Sequence, residues 1–385
     1  MKRSMIALAL TAVMLYTLAG AAFSAPRKQE YRHVVALGAD RSWSEGDDSL
    51  GPIIAYYYFK EDFTNPNLYA QFTLTTTDTF FKLGWRSDAV DIGVQPMLQH
   101  FWYGGYSAYD RGDSDETRRF YGNSAGGIAY LRLSPADVFS TTVAYRGTYH
   151  FYADMEDTEI DLPDGHWQNM GSVELALNTV KEKNLGRIKH GLLAKARYEH
   201  ARRIGYGTFE DTAAVEDSSE DVANKLYFTL GAYYNMPGDI TLLVDVAGGA
   251  HYGVDRNNAE KIGYFCADHA VVPGYYAAEF YHDRYVVAGA RIGFPIEPWD
   301  TRIQPGYYVL YMPEHNQVVG VQDYPRTTYR GASLEISTKL GNVLPFFIDY
   351  GYGIDADRKE KKGNHEFRIL VVAAFGKNEG VEERN

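Results

Sequence analysis

Hydrophobic and polar residues alternate along most of this chain, and the alternation is clearest on both sides of residues 237–239. Before this turn, one parity is apolar: Leu226, Phe228, Leu230, Ala232 and Tyr234. The other parity is mixed: Lys225, Tyr227, Thr229, Gly231 and Asn235. The alternation resumes after the turn. Because successive side chains of a strand point to opposite faces, the pattern predicts a β-hairpin with one apolar and one mixed face.

About sixteen such segments follow one another, and the length of the connections between them alternates. The short connections are 87–88, 134–137, 237–239, 297–300 and 341–343. The long ones are roughly 40–50, 104–118, 154–167, 206–223, 254–284, 314–328 and 355–364. Short periplasmic turns and long extracellular loops are typical of an outer-membrane barrel. We therefore predict an all-β fold, a transmembrane antiparallel β-barrel of about sixteen strands, with thirteen, fourteen or eighteen strands as alternatives.

The mixed faces carry charges of both signs. In a barrel these residues would face a wet lumen: Arg146, Lys195, Arg197, Arg291, Glu335, Asp349 and Arg368. In a soluble β-sandwich, which is the alternative fold, the same residues would face solvent. A sandwich offers no reason for loop length to alternate, so the barrel is preferred.

Three places fit the alternation poorly. The link Thr77–Thr79 is short where an extracellular loop is due, and the link Lys181–Lys189 is long where a turn is due. Pro305 falls inside a predicted strand and cannot donate a ladder hydrogen bond. We expect a β-bulge or a late strand start near Pro305.

The N-terminus predicts export. Lys2 and Arg3 precede an apolar run, and small residues end that run near Ala22, as in a secretory signal peptide. An uncleaved membrane anchor is the alternative interpretation. The predicted organisation is a signal peptide over 1–25, a barrel over 26–376 and a polar tail over 377–385.

Composition narrows the choice of environment and partners. The 32 tyrosines, against 38 lysines and arginines, favour strands with aromatic interfaces, and all five tryptophans fall in connections or at strand ends, as aromatic belts at membrane interfaces do. A net charge of −12 excludes nucleic acid as an expected partner. The single cysteine, Cys266, excludes an intrachain disulfide. We expect localisation in the outer membrane, with its lipids as the first partner.

The longest loop, about 254–284, precedes the predicted twelfth strand. It contains Val272-Pro273-Gly274-Tyr275. The last predicted strand is His365 to Phe375. With the strand count, these segments resemble the barrel of the bacterial surface antigen family, which includes BamA and the transporters of two-partner secretion. The resemblance implies that the sixth loop folds into the lumen.

Family members carry a Val-Arg-Gly-aromatic motif at the tip of that loop. Val272, Gly274 and Tyr275 match three positions, whereas Pro273 replaces the arginine that contacts acidic residues of the barrel wall. The resemblance therefore implies a lid loop that is held by other contacts, and the alternative interpretation of Gly274-Tyr275 is an ordinary surface turn. It also implies that Phe375 is the closing-strand aromatic. Family members that fold or secrete other proteins receive their clients at periplasmic POTRA domains. In an assembly or secretion role, this chain would recruit a separate periplasmic partner or act through its barrel alone.

Few residues suggest enzymatic chemistry. Residues 122–126 match Gly-x-Ser-x-Gly, but this motif needs a helix after the serine, and here a strand pattern continues. The acidic loops lack the spacing of a calcium-binding loop. No catalytic residue, metal site or cofactor is predicted. We expect a transport, structural or assembly-related role, with a general porin or solute channel as the alternative and a surface lipid hydrolase as a third possibility.

Overall fold

The fold was obtained as a computed structural model of the chain. It describes residues 31–42, 50–100, 109–110, 113–162, 164–183, 188–206, 221–264, 270–276, 278–297, 299–318, 321, 324–340, 344–358 and 362–377. The predicted signal peptide, Cys266, and residues 378–385 of the predicted tail lie outside these ranges. Among the described residues no helix is long and apolar enough to cross a membrane.

Across the described residues, sixteen antiparallel strands form one closed barrel, as the alternation predicts. They are β1 (Tyr31–Ser42), β2 (Leu50–Lys60), β3 (Leu68–Thr75), β4 (Asp78–Arg86), β5 (Val90–Gln99), β6 (Phe120–Ala136), β7 (Phe139–Asp154), β8 (His166–Asn178), β9 (Ile188–Ile204), β10 (Val222–Met236), β11 (Ile240–Tyr252), β12 (Arg284–Ile296), β13 (Thr301–Tyr311), β14 (Thr328–Leu340), β15 (Leu344–Asp357) and β16 (Lys362–Lys377). Each strand pairs with its neighbours in sequence.

The barrel is closed by the pairing of its first and last strands. β1 and β16 are antiparallel, with a register that runs from Tyr31 opposite Lys377 to Ser42 opposite Glu366. Closure leaves no strand edge exposed, which a sheet in hydrocarbon requires because every backbone group there must be paired.

Most connections alternate in length as predicted. The last extracellular loop is an exception, because β15 and β16 extend into the predicted range 355–364 and leave only 358–361. We number the extracellular loops in chain order, so that L3 is 100–119, L4 is 155–165, L5 is 205–221, L6 is 253–283, L7 is 312–327 and L8 is 358–361. L6 is the longest of them. The periplasmic turns include 87–89, 137–138 and 237–239.

The three irregular places have separate explanations. L2 is only residues 76–77, so the chain does form a tight extracellular hairpin there. The long link after β8 contains a short strand, Lys181–Lys183, that pairs with the start of β9. The expectation of a bulge or late start at Pro305 is wrong. β13 continues through Pro305, and its register with β12 is the same before and after this residue. Only the ladder pairs next to Pro305 are missing.

The two faces of the wall follow the sequence alternation. Leu226, Leu230 and Tyr234 of β10 are about half exposed, as are Leu37, Val94 and Phe375 on other strands. Large apolar side chains exposed all round a closed barrel indicate a surface that faces lipid. The opposite parity faces the interior.

Candidate functional site at the sixth loop

L6 has internal structure that folds it back on itself. Lys261–Ile262 pairs antiparallel with Phe280–Tyr281, and Gly263 bridges to Val271. The Val272 amide donates to the Gly263 carbonyl at 2.9 Å, and the Tyr264 amide donates to the Tyr275 carbonyl at 2.9 Å. In the described part of L6, the segment with the predicted lid residues therefore turns back along residues 261–264.

The tip of L6 packs against strands β14, β15 and β16 of the barrel wall. Gly274 has a φ of +81°, and a Cβ there would overlap the backbone of Gly353 in β15. A Cβ on Gly331 of β14 would overlap the Pro273 carbonyl. The Asn364 amide group of β16 donates to the Gly274 carbonyl at 3.1 Å. Glycine is needed at Gly274 and at Gly331, because the backbones of the loop and the wall approach too closely for a side chain at either position.

Val272 and Tyr275, the other two lid candidates, are fully buried. They belong to an apolar cluster with Ile262, Phe280, Tyr285, Val287, Tyr308, Leu310, Met312 and Tyr329, so the loop packs on β12, β13 and β14. The Tyr275 hydroxyl donates to the Arg330 carbonyl at 3.1 Å. Burial raises the pKa of Tyr275, which keeps the phenol neutral and able to donate.

A buried ion pair joins L6 to L8. Arg358 donates from Nη1 to Glu279 Oε1 at 2.8 Å and from Nη2 to Oε2 at 3.0 Å, and both side chains are almost fully buried. Glu279 Oε2 also accepts from the Tyr276 amide at 2.8 Å. The Arg358 guanidinium lies over the Tyr276 ring, 4.6 Å from its centroid. Parallel bonds of this kind are among the strongest that a carboxylate makes.

A second buried ion pair joins the start of L6 to β9. Asp255 is bonded by Arg203 and by the Tyr206 hydroxyl, and all three side chains are buried. Asp255 Oδ1 also accepts from the amides of Asn257 at 3.0 Å and Asn258 at 3.2 Å, which shapes the local turn. Burial, followed by the nearby carboxylate, raises the pKa of Tyr206.

Neighbouring loops complete the contacts of L6. The Tyr281 amide donates to the Tyr324 hydroxyl of L7 at 2.8 Å, and the Asn316 side chain donates to the Tyr281 carbonyl at 2.7 Å. On the opposite side, Arg256 donates to the Arg118 carbonyl of L3. L6 thus contacts L3, L7 and L8 as well as the wall.

The predicted lumen charges lie at inward positions, and several are paired across strands. Arg291 donates to Asp245 at 2.6 Å, and Arg368 donates to Asp349 from Nε at 2.7 Å. Arg146 donates to Gln99 at 2.7 Å, and Arg197 contacts Glu199 at 3.1 Å on its own strand. Glu335 lies opposite Asp349 in the ladder of β14 and β15, and Lys195 lies opposite Ala176.

The remaining candidates lie far from L6 in the sequence. Phe375 is at the periplasmic end of β16, and its ring stacks on His33 of β1 with centroids 5.2 Å apart. Ser124 of the Gly-x-Ser-x-Gly motif lies within β6, and its hydroxyl donates to Gln99 at 3.0 Å. The motif is therefore on a strand, as its sequence context predicts, and not at a strand-to-helix turn.

The residues that hold L6 were not predicted from the sequence. Arg203, Asp255, Glu279 and Arg358 are charged residues in or beside polar loops, where solvated charge is the usual interpretation. Their partners are separated by 52 and 79 positions, so no local spacing marks them. The charges are also reversed relative to the implied motif. Here the loop supplies the acidic residues Asp255 and Glu279, and β9 and L8 supply the arginines.

No protein-family model and no curated protein sequence matches this chain. Its fold is similar to that of CdiB from Acinetobacter baumannii, with a TM-score of 0.57 and 11% identity over 90% of this chain and 60% of that chain. It is also similar to BamA from Haemophilus ducreyi lacking POTRA domains 1–3, with a TM-score of 0.56 and 10% identity over 89% of this chain and 70% of that chain. The chain thus spans about three fifths of the CdiB chain. Identities this low establish the shared barrel fold alone.

Proposed function

We propose that this outer-membrane β-barrel, which has the fold of BamA and CdiB, acts in transport or assembly at that membrane, and that L6 closes its lumen. The observation that carries the proposal is the attachment of L6 at separate points of the barrel. Asp255 is bonded to Arg203 of β9, whereas Glu279 is bonded to Arg358 beyond β15.

The position of these points supports closure. In a sixteen-stranded barrel, β9 and β15 are six strands apart around the wall. L6 leaves the wall at β11 and returns at β12, so contacts to β9 on one side and to Arg358 on the other extend it over part of the barrel mouth. The close backbone contact of Gly274 with β15 and the burial of Tyr275 favour a position inside the wall. A barrel of this size otherwise encloses an aqueous channel.

A role without catalysis fits this arrangement. Among the described residues no group of three or more His, Cys, Asp or Glu side chains is placed to hold a metal ion. Ser124 donates to Gln99 and lies opposite His150 in the ladder of β6 and β7, so the motif continues as strand and lacks the strand-to-helix turn that a hydrolase nucleophile needs. The proposed function therefore makes no use of the Gly-x-Ser-x-Gly motif.

An assembly role would bring a periplasmic partner to the short turns. Asp88, the exposed residue of the turn 87–89, is a suitable position for a photoreactive amino acid. Crosslinking from this position in cells to a periplasmic protein would support the assembly role. Crosslinking to lipid alone would contradict the assembly role and leave transport as the proposed function.

The alternative is a general solute channel. It is favoured by the inward ion pairs Arg291–Asp245 and Arg368–Asp349, because charges of both signs would line the path of small solutes. In this case L6 would narrow the pore without closing it.

Conductance of the purified chain in planar bilayers separates the two functions. For the closed barrel we expect small or erratic currents, which become large and steady when residues 260–280 are deleted. Large, steady openings in the intact chain, unchanged by the deletion, would overturn the proposal and establish the solute channel. Lys339→Gln is a matched control, because it breaks a partly exposed pair with Asp300 at the periplasmic end, remote from L6.

A further inference from the structure

An apolar groove of about 200 Å³ lies on the outer surface of the barrel, at its extracellular end. Its lining includes Leu226 of β10, Ala250 of β11, Val286 of β12 and Tyr311 of β13. These side chains have the outward parity, and Leu226 and Tyr311 are about half exposed. The groove therefore opens towards the outer leaflet of the membrane and not towards the lumen.

Arg284 forms the extracellular end of this groove. It is the first residue of β12, and 62% of its side chain is exposed. Its Nε lies 3.3 Å from Oδ2 of Asp283, whose side chain is almost fully buried. This contact orients the guanidinium by its Nε edge, so the exposed Nη groups can bind an anion outside the barrel.

The combination of an apolar groove and a cation at its end matches an amphiphile. At the membrane interface an arginine places its apolar stem along the surface and its charged head at the level of the lipid head groups. Charge-assisted bonds from Arg to phosphate are stronger than neutral ones. We propose that this groove binds an anionic, phosphate-bearing lipid of the outer leaflet, with the phosphate on Arg284 and one acyl chain along Leu226, Ala250 and Val286.

Arg330 provides an internal comparison. It is also an exposed arginine near the extracellular end of its strand, β14. Its Nε and Nη2 are both bonded to Asp355, at 2.6 and 2.7 Å. Arg330 therefore already has an intramolecular anion across two donors, whereas Arg284 has a single, longer contact. We expect Arg284 and not Arg330 to respond to an added anionic lipid.

The test is native mass spectrometry of the full chain in detergent, with dioleoyl phosphatidylglycerol or dioleoyl phosphatidylcholine as the probe. We expect the anionic lipid to bind about fivefold more tightly than the zwitterionic one, the factor that an exposed ion pair contributes. Arg284→Gln should remove this preference, while Arg330→Gln should keep it. Equal preference in the wild type and Arg284→Gln would overturn the proposal.

A second variant tests the acyl chain. Ala250→Leu fills the groove without changing charge, and we expect it to weaken the binding of both lipids. Ala250→Trp places a larger side chain in the same groove. Its lipid binding is interpreted only if the variant still shows the heat-induced band shift in a denaturing gel that reports a folded barrel. Unchanged lipid binding in a folded groove variant would overturn the proposal. Displacement of the lipid by millimolar inorganic phosphate would also overturn it, since the site would then recognise a free anion.

Discussion

Removal of the Glu279 carboxylate tests how L6 is held. The variant Glu279→Ala leaves Arg358 without its two-bond partner, although both side chains are 7% exposed or less in the closed arrangement. It also removes the acceptor of the Tyr276 amide. Breaking a buried ion pair by removal of one partner costs about 3–5 kcal/mol. When L6 leaves its position, Arg358 can reach water, so the cost falls on the closed arrangement alone.

The expected effect is large. A shift of about 3 kcal/mol changes the ratio of closed to open loop by more than about a hundredfold. The assay is the open probability of single channels in planar bilayers, compared with Lys339→Gln, whose partly exposed ion pair contributes at most about 1 kcal/mol. We expect Glu279→Ala to open far more often than this control. The charge exchange Glu279→Arg with Arg358→Glu should recover part of the closure.

Two outcomes would refute the reasoning. Equal open probabilities for Glu279→Ala and Lys339→Gln would mean that the Glu279–Arg358 pair does not hold the loop in a closing position. Increased opening with no recovery in a folded charge-exchange variant would mean that the effect comes from altered packing and not from the ion pair.

Three further predictions follow from other contacts. Gly274→Val should open the pore because its side chain would overlap the wall, whereas Gly238→Val, with a similar φ of +78° but no neighbour within 4 Å and a place in the periplasmic turn 237–239, should conduct like the wild type. Phe375→Ala should lower the temperature of the heat-induced band shift, because the stack on His33 contributes about 0.5–1.5 kcal/mol; an unchanged temperature would contradict a role in the closing seam. Ser124→Ala should leave hydrolase assays at the wild-type level, and a loss of activity in those assays would revive the hydrolase hypothesis.

The barrel could be predicted from sequence because its determinants are local and repeated. Every strand that crosses the membrane must alternate, so the pattern of Leu226 to Tyr234 recurs around the wall. Loop lengths also alternate for a simple reason, since turns on the periplasmic side join adjacent strands directly. The expectation at Pro305 was wrong because a missing donor can interrupt the ladder without shifting its register.

The candidate site was predicted only in part. Val272, Gly274 and Tyr275 stood out through a motif resemblance, and Pro273 indicated that the loop must be held in another way. Which contacts replace the arginine depended on residues from distant parts of the chain, and a charged loop residue looks the same in sequence whether it is solvated or paired.

The sequence by itself thus determined the fold class, the orientation of the barrel and the parity of nearly every wall residue, because strand periodicity and membrane thickness act on each segment separately. Tertiary structure alone decided the partners of Asp255 and Glu279, the contact of Gly274 with β15, and the neighbours of Arg284 at the extracellular end of the outer groove. Those features exist only after closure of the barrel brings separate strands and loops together, and no local pattern encodes that proximity.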